Sequence, residues 1–268
     1  MLHKIGNDYS EIIKTRKNRR DYPPVVKLNT KVDIERLRNE ILSIQEKKLD
    51  QNSTETEYRL NKLNGEKFVN GYEEFIHNYS KITFHQMTKE AVKLANKLPD
   101  IENYGPRERL KGMTNTASKY YHPNYDERNY TEYTEYAIGY IREILETFKS
   151  QTCRSAVVVL ETGQTLSRHV DIGPEYIIRC HIPLVTNNEA RIGFKIKDKW
   201  EEYHLPADGG IYAINAGLEH YAFNLGPKRI QIRICLTDQQ DLINYKTVEP
   251  VNVFSHQFCQ AYFENFGL

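Results

Sequence analysis

From about residue 153 to 238 the chain is a succession of short apolar or alternating runs cut by turn signals, and this constrains the fold most. The runs fall at 155–160, 176–184, 191–196, 200–205, 210–214, 220–225 and 230–236. The breaks are Thr162-Gly163, Ile172-Gly173-Pro174, Thr186-Asn187-Asn188, Asp208-Gly209-Gly210 and Gly226-Pro227. Many short strands joined by Gly, Pro and Asn turns predict an antiparallel sandwich or barrel.

The region before it differs. Residues 1–150 are rich in Lys, Glu, Asn and Tyr and mostly helical in pattern. Ile34, Leu37, Ile41 and Ile44 share one face of a helix over 32–49, with Thr30 or Asp33 as its N-cap. Ala91, Leu94 and Leu98 predict a second helix over 87–98, ended by Pro99. A stripe from Tyr133 through Tyr136, Ala137, Tyr140, Ile141, Ile144 and Leu145 to Phe148 predicts a third over 131–148. Residues 103–129 read as a long loop, whose Tyr120–Tyr125 stretch is either a lid or a surface segment packed by its own tyrosines. The aromatic end, 254–266, reads as a helix packed back on the body. Two regions result: 1–150, mostly helical, packing on the core and shaping the substrate site, and 151–268, a β core with a C-terminal helix.

Composition narrows the function classes. A net charge of +1 gives no global pull toward nucleic acid or membrane. No run has the length of a membrane span, and the N-terminus lacks the apolar core of a secretory signal. Cys153, Cys180, Cys235 and Cys259 form no CxxC pair, so reduced, buried thiols in a cytoplasmic protein are expected. The basic run at Lys14, Arg16, Lys17, Arg19 and Arg20 reads as a solvated segment.

The chemistry lies in Arg168-His169-Val170-Asp171 and, much later, Glu219-His220 and Arg229. His169 and Asp171, two apart in extended chain, point to one side, and His220 comes from another strand. Two imidazoles and a carboxylate hold one face of a mononuclear Fe(II) ion and leave the other open for co-substrate and O2. Arg229 opens a run in which Arg229, Gln231 and Arg233 share one face and Ile230, Ile232 and Ile234 the other. A guanidinium turned inward needs an anion, and a carboxylate of a 2-oxo acid fits; either Arg229 or Arg233 could supply it. Arg179 and His181 alternate in the same way, as cosubstrate ligands or as a cross-strand ion pair. The pattern points to a 2-oxoglutarate-dependent oxygenase.

Residues 158–238 resemble the aspartyl/asparaginyl β-hydroxylase family, including its bacterial proline cis-hydroxylase branch. The matching text is Gly163, then His169-x-Asp171, Arg179-Cys-His181-Ile-Pro-Leu184, the Gly209–Asn215 run, Glu219-His220 with Asn224, and Arg229. The resemblance implies a double-stranded β-helix (jelly-roll or cupin-like) core, so the whole chain is expected to be mainly β with a helical N-terminal part. It implies Fe(II) on His169, Asp171 and His220, and 2-oxoglutarate on Arg179, His181 and Arg229, with O2 as co-substrate. The implied activity is hydroxylation of an amino acid or of an amino-acid side chain in a peptide or protein, releasing succinate and CO2. Desaturation or cyclisation on the same iron, and a non-catalytic cupin-like binding protein, are the alternatives. Animal members lack the carboxylate ligand; Asp171 stands where the proline hydroxylases keep it. A serine that helps hold the co-substrate in the animal enzymes is replaced by Val158, with Ser155 or a tyrosine as the candidate substitute.

Overall fold

Alternation within two strands sets the architecture. A computed structural model describes residues 16–49, 79–86, 88–90 and 127–255. In chain order these form β1 (Val25–Lys31), α1 (Ile34–Leu49), β2 (Tyr79–Thr83), β3 (His85–Gln86), β4 (Glu132–Tyr133) and α2 (Gly139–Thr147). Then follow β5 (Thr152–Leu160), β6 (Gln164–His169), β7 (Ile178–Val185), β8 (Ala190–Ile196) and β9 (Lys199–Tyr203). The last are β10 (Gly210–Ile214), β11 (His220–Asn224), β12 (Arg229–Leu236), β13 (Tyr245–Thr247) and β14 (Asn252–Ser255). A major sheet runs β13-β1-β10-β7-β12-β5-β2 and a minor one β14-β9-β8-β11-β6, every pairing antiparallel.

In β7, Ile178, Cys180, Ile182 and Leu184 turn to one face, and in β12 Ile232, Ile234 and Leu236 do the same. That face packs on Leu37, Ile41 and Ile44 of α1 and Ile141, Ile144 and Leu145 of α2. Sheet periodicity and helix periodicity thus meet in one apolar layer. The opposite face of the major sheet meets the minor sheet: Val25, Tyr212 and Ile214 pack with Ile192, Phe194, Tyr203 and Ala222. Helices, major sheet and minor sheet form three layers, and the expected mainly-β sandwich is what the chain builds.

Asp33 caps α1, since its Oδ1 accepts the Arg36 amide at 3.0 Å. Arg38 on the next turn donates to the Leu184 carbonyl at 2.7 Å and ties α1 to β7. Several expectations need correction. The helix expected over 131–148 is only Gly139–Thr147. Upstream, the Thr134 amide donates to the Phe84 carbonyl and β4 pairs with β3, so this stretch is held extended. The stripe residues Tyr133 and Tyr136 still pack on the core from there. Phe254 and Ser255 lie in β14, paired with Trp200 and Lys199, rather than opening a helix; residues 256–266 of that expected helix, Cys259 among them, lie outside the described residues. So do residues 91–98 of the second helix and the Tyr120–Tyr125 loop, whereas Glu127–Asn129 form a buried 3-10 turn. Strands β1 and β2 lie in polar sequence that carried no strand signal.

Cys153, Cys180 and Cys235 are buried free thiols, as expected. In the basic run Lys17, Arg19 and Arg20 are exposed, but Arg16 donates to the Thr237 carbonyl at 2.9 Å and to the Glu175 carbonyl at 3.3 Å. Among the described residues no helix is long and apolar enough to cross a membrane.

Candidate metal centre

Between the sheets lies a cavity of about 800 Å³, its open mouth included. Leu166, Ile192, Leu205 and Ala222 line one side, and Arg179, His181, Arg229, Gln231 and Arg233 the other. Of the β7 and β12 side chains that do not face the helices, Arg179, His181, Arg229, Gln231 and Arg233 line this space, while Cys235 packs in a separate cluster with Tyr176 and Ile177.

His169 ends β6 and pairs directly with His220 at the start of β11. Their ring centroids are 4.2 Å apart. Asp171 follows β6, and its amide donates to the Ala216 carbonyl at 2.9 Å, which holds the carboxylate beside the rings. One donor atom from each of the three residues lies within 4.8 Å of the others, and His169 Nε2 is 3.9 Å from Asp171 Oδ2. Ligands about 2.1 Å from an ion and sharing one face of it are about 3 Å apart, so the side chains close on an ion by drawing in about 1–2 Å.

The donor atoms are prepared for an ion. His169 Nδ1 is 2.7 Å from the Ser167 carbonyl, and His220 Nδ1 is 2.9 Å from the Leu218 carbonyl. A carbonyl only accepts, so each Nδ1 carries the proton and each Nε2 keeps its lone pair. Burial and the neighbouring His169 bring His220 down to about 4, which keeps it neutral. Burial pushes the Asp171 carboxyl up, but the Arg179 guanidinium beside it outweighs this and holds it at about 2, so it is ionised.

The other polar residues divide unequally. His181 Nδ1 meets the Gln231 amide nitrogen at 2.7 Å. That amide donates, so the ring proton sits on Nε2, which is buried without a partner. Burial and then Arg229, Arg233 and Arg179 keep His181 well below its ordinary range, hence neutral. Among the described residues Arg229 has no carboxylate partner, its Nε is unbonded, and burial alone pushes it down to about 10. Arg229 and His181 therefore present unused donors to the cavity. Arg233 also lines it, opposite His181 in register.

Arg179 departs from the expectation that it serves the co-substrate. It lines the cavity, but Nη1 and Nη2 each donate to Glu127 at 3.1 Å, and Nε lies 3.2 Å from Asp171 Oδ2. Its charge is thus shared between two carboxylates, through two hydrogen bonds to Glu127 and an ion pair with Asp171. Of the two candidates for the missing serine, Ser155 is fully buried, and its hydroxyl donates to the Cys153 carbonyl at 3.3 Å. Val158 itself pairs with Gln231 on one side and with Tyr79 on the other. Glu127 and Arg154, which donates to it, carried no recognisable signal, because their partners are remote in sequence.

Residues 81–238 match the family described as Aspartyl/Asparaginyl beta-hydroxylase. The chain belongs to this family. All three candidate ligands and the cavity's polar row fall inside the matched span, and the family carries the name of a hydroxylase, an oxidoreductase class. No curated protein matches the chain. Among solved structures, an oxidoreductase of the 2OG-Fe(II) oxygenase family from Burkholderia pseudomallei is 12% identical with a TM-score of 0.30, over 37% of this chain and 57% of that one. AviO1 from Streptomyces viridochromogenes Tue57 is 16% identical with a TM-score of 0.26, over 40% and 59%. A Bacillus subtilis oxalate decarboxylase variant is 17% identical with a TM-score of 0.24, over 46% and 30%. The match spans less than two thirds of each of these proteins, and these likenesses carry no part of the functional reading.

Proposed function

We propose that this β-hydroxylase family member is an Fe(II)- and 2-oxoglutarate-dependent dioxygenase that hydroxylates an amino acid or an amino-acid side chain in a peptide or protein. The observation that carries the reading is a pair of unused donors, His181 Nε2 and the buried Nε of the half-buried Arg229, in the cavity that holds the His169, Asp171 and His220 cluster. A buried guanidinium without an anion is costly, and a carboxylate relieves that cost.

Iron, when bound by His169, Asp171 and His220, supplies oxidative decarboxylation of the 2-oxo acid to succinate and CO2 with transfer of oxygen to a C–H bond. The strand register supports one orientation of the co-substrate. Arg179, which touches Asp171, stands opposite Cys235, so the ligand cluster lies toward the far end of β12 from Arg229. A dicarboxylate with one end at the cluster extends past His181 toward Arg229, which takes the remote carboxylate. His181 Nε2–H donates to the molecule along its length. Leu166, Ile192, Leu205 and Ala222 exclude water from the reacting centre.

The test is anaerobic loading with Fe(II) and 2-oxoglutarate, exposure to O2, and measurement of succinate across a panel of amino acids and peptides. Succinate release that requires both additions, with a product heavier by one oxygen, is expected. A product lighter by two hydrogens would mean desaturation, and absence of iron- and 2-oxoglutarate-dependent succinate would sink the proposal.

A further inference from the structure

Beside the ligand cluster lies a buried chain of alternating charges that the proposed reaction leaves unexplained. Glu127, 5% exposed, accepts two parallel bonds from the Arg179 fork, each 3.1 Å long. The remaining edge of that guanidinium faces Asp171 Oδ2 at 3.2 Å. Arg154 also donates to Glu127 Oε2. The order is Arg154, Glu127, Arg179, Asp171: Glu127 sits between two cations, and Asp171 at the end is a candidate iron ligand.

Glu127 is itself held rigidly. It opens the buried turn Glu127–Asn129, and the next residue, Arg128, stacks on the Tyr176 ring at 3.8 Å. Arg154 reaches it through an unusual backbone. Its φ is +42°, and its amide leaves the ladder of β5 to donate to the Tyr130 carbonyl at 2.9 Å. A non-glycine residue keeps that conformation only where its surroundings over-determine it, and such sites gather around function.

We propose that Glu127 is a positioning residue: it fixes the plane of Arg179, and Arg179, lying against Asp171 Oδ2, holds the carboxylate in the orientation that turns it toward His169 and His220. Two parallel bonds constrain a planar guanidinium where one would let it pivot. Residues behind a metal ligand commonly set its orientation, and their loss weakens metal binding roughly 10- to 100-fold. Glu127 has this role only if the cluster binds an ion, as proposed above. Arg179 is thereby assigned to the carboxylate ligand, and His181 with Arg229 to the co-substrate.

The test is anaerobic titration of the metal-free full-length protein with Co(II), read by visible absorption, for the wild type, Glu127→Gln and Glu127→Asp. Gln keeps the shape of Glu but loses the charge; Asp keeps the charge but is too short for both Arg179 nitrogens. Glu127→Gln is expected to weaken Co(II) binding roughly 10- to 100-fold and to change the cobalt spectrum. At saturating metal the 2-oxoglutarate half-saturation should stay within about two-fold, since uniform cosubstrate binding is untouched. Glu127→Asp should move in the same direction by less, and it serves if Glu127→Gln fails to fold. Wild-type cobalt affinity and spectrum in a folded variant would overturn the assignment. So would intact cobalt binding with a large loss of 2-oxoglutarate affinity, which would make Arg179 a cosubstrate anchor. A wild-type protein that takes up no Co(II) would instead sink the iron reading itself.

Discussion

His181 shows how much one hydrogen bond decides. With Nδ1 engaged by Gln231, its proton points into the cavity. Glu at position 231 would accept from Nδ1, draw the proton off Nε2 and add negative charge beside the anion. Gln231→Glu should therefore raise the 2-oxoglutarate dissociation constant by more than about ten-fold, on the scale of a charge-assisted hydrogen bond, with metal affinity unchanged. Nitrogen-15 spectra of His181 would show the tautomer reverse; an unaltered tautomer with unaltered affinity would contradict this role. Arg229→Ala should raise the 2-oxoglutarate requirement roughly 10- to 100-fold and leave metal binding intact, measured by isothermal titration at saturating metal. His169→Ala and His220→Ala should abolish both metal uptake and turnover, and full turnover by either variant would be decisive against the cluster.

Elements show where sequence was informative. Strands β7 and β12 were legible because both faces are occupied, so Arg179, His181, Arg229 and Gln231 alternate strictly with apolar residues. The ligand cluster was legible because two of its members are two residues apart. Strand β1 was not: its VVKLNTK alternates only in part, and its pairing with β10 and β13 is fixed by residues far along the chain. Glu127 was hidden for the same reason, since its meaning comes from Arg179 and Arg154. On the outer face of the minor sheet, Gly193 pairs with Tyr221, and a Cβ at Gly193 would lie 2.2 Å from the tyrosine ring. That ring is fully buried and its hydroxyl donates to Glu202 at 2.7 Å, so it has nowhere to move. Gly193→Ala should cost about 1–3 kcal/mol and lower the midpoint of thermal unfolding by several degrees. An unchanged midpoint would mean that the tyrosine yields freely.

The molecule as a whole should be sensitive to acid, and the sign follows from its buried groups. His85 is 3% exposed, and its Nδ1 accepts the Ser155 amide at 3.3 Å. Burial, then Arg142, lowers it from 6.5 to about 4. Between those values the unfolded chain binds the proton and the folded one does not, so stability falls as pH drops through that window. The full effect is about 3 kcal/mol at about 1.4 kcal/mol per unit. Asp171, held at about 2, adds a loss below the ordinary carboxyl range. Chemical denaturation of the metal-free protein from pH 7 to 4 should show the decline, and His85→Gln should flatten its upper part; an equal slope in the variant would exclude His85 as the source.

Because β7 and β12 devote alternate positions to opposite tasks, a residue gained or lost within either alternating stretch inverts every side chain beyond it, unless a bulge such as those beside Ile230 and Cys235 absorbs it. Such a slip would swing the cationic groups under the helices and push isoleucines into the reaction chamber. Side chains along these two segments can therefore be exchanged one for one, whereas an added residue is tolerated only at a bulge or in the turns between them.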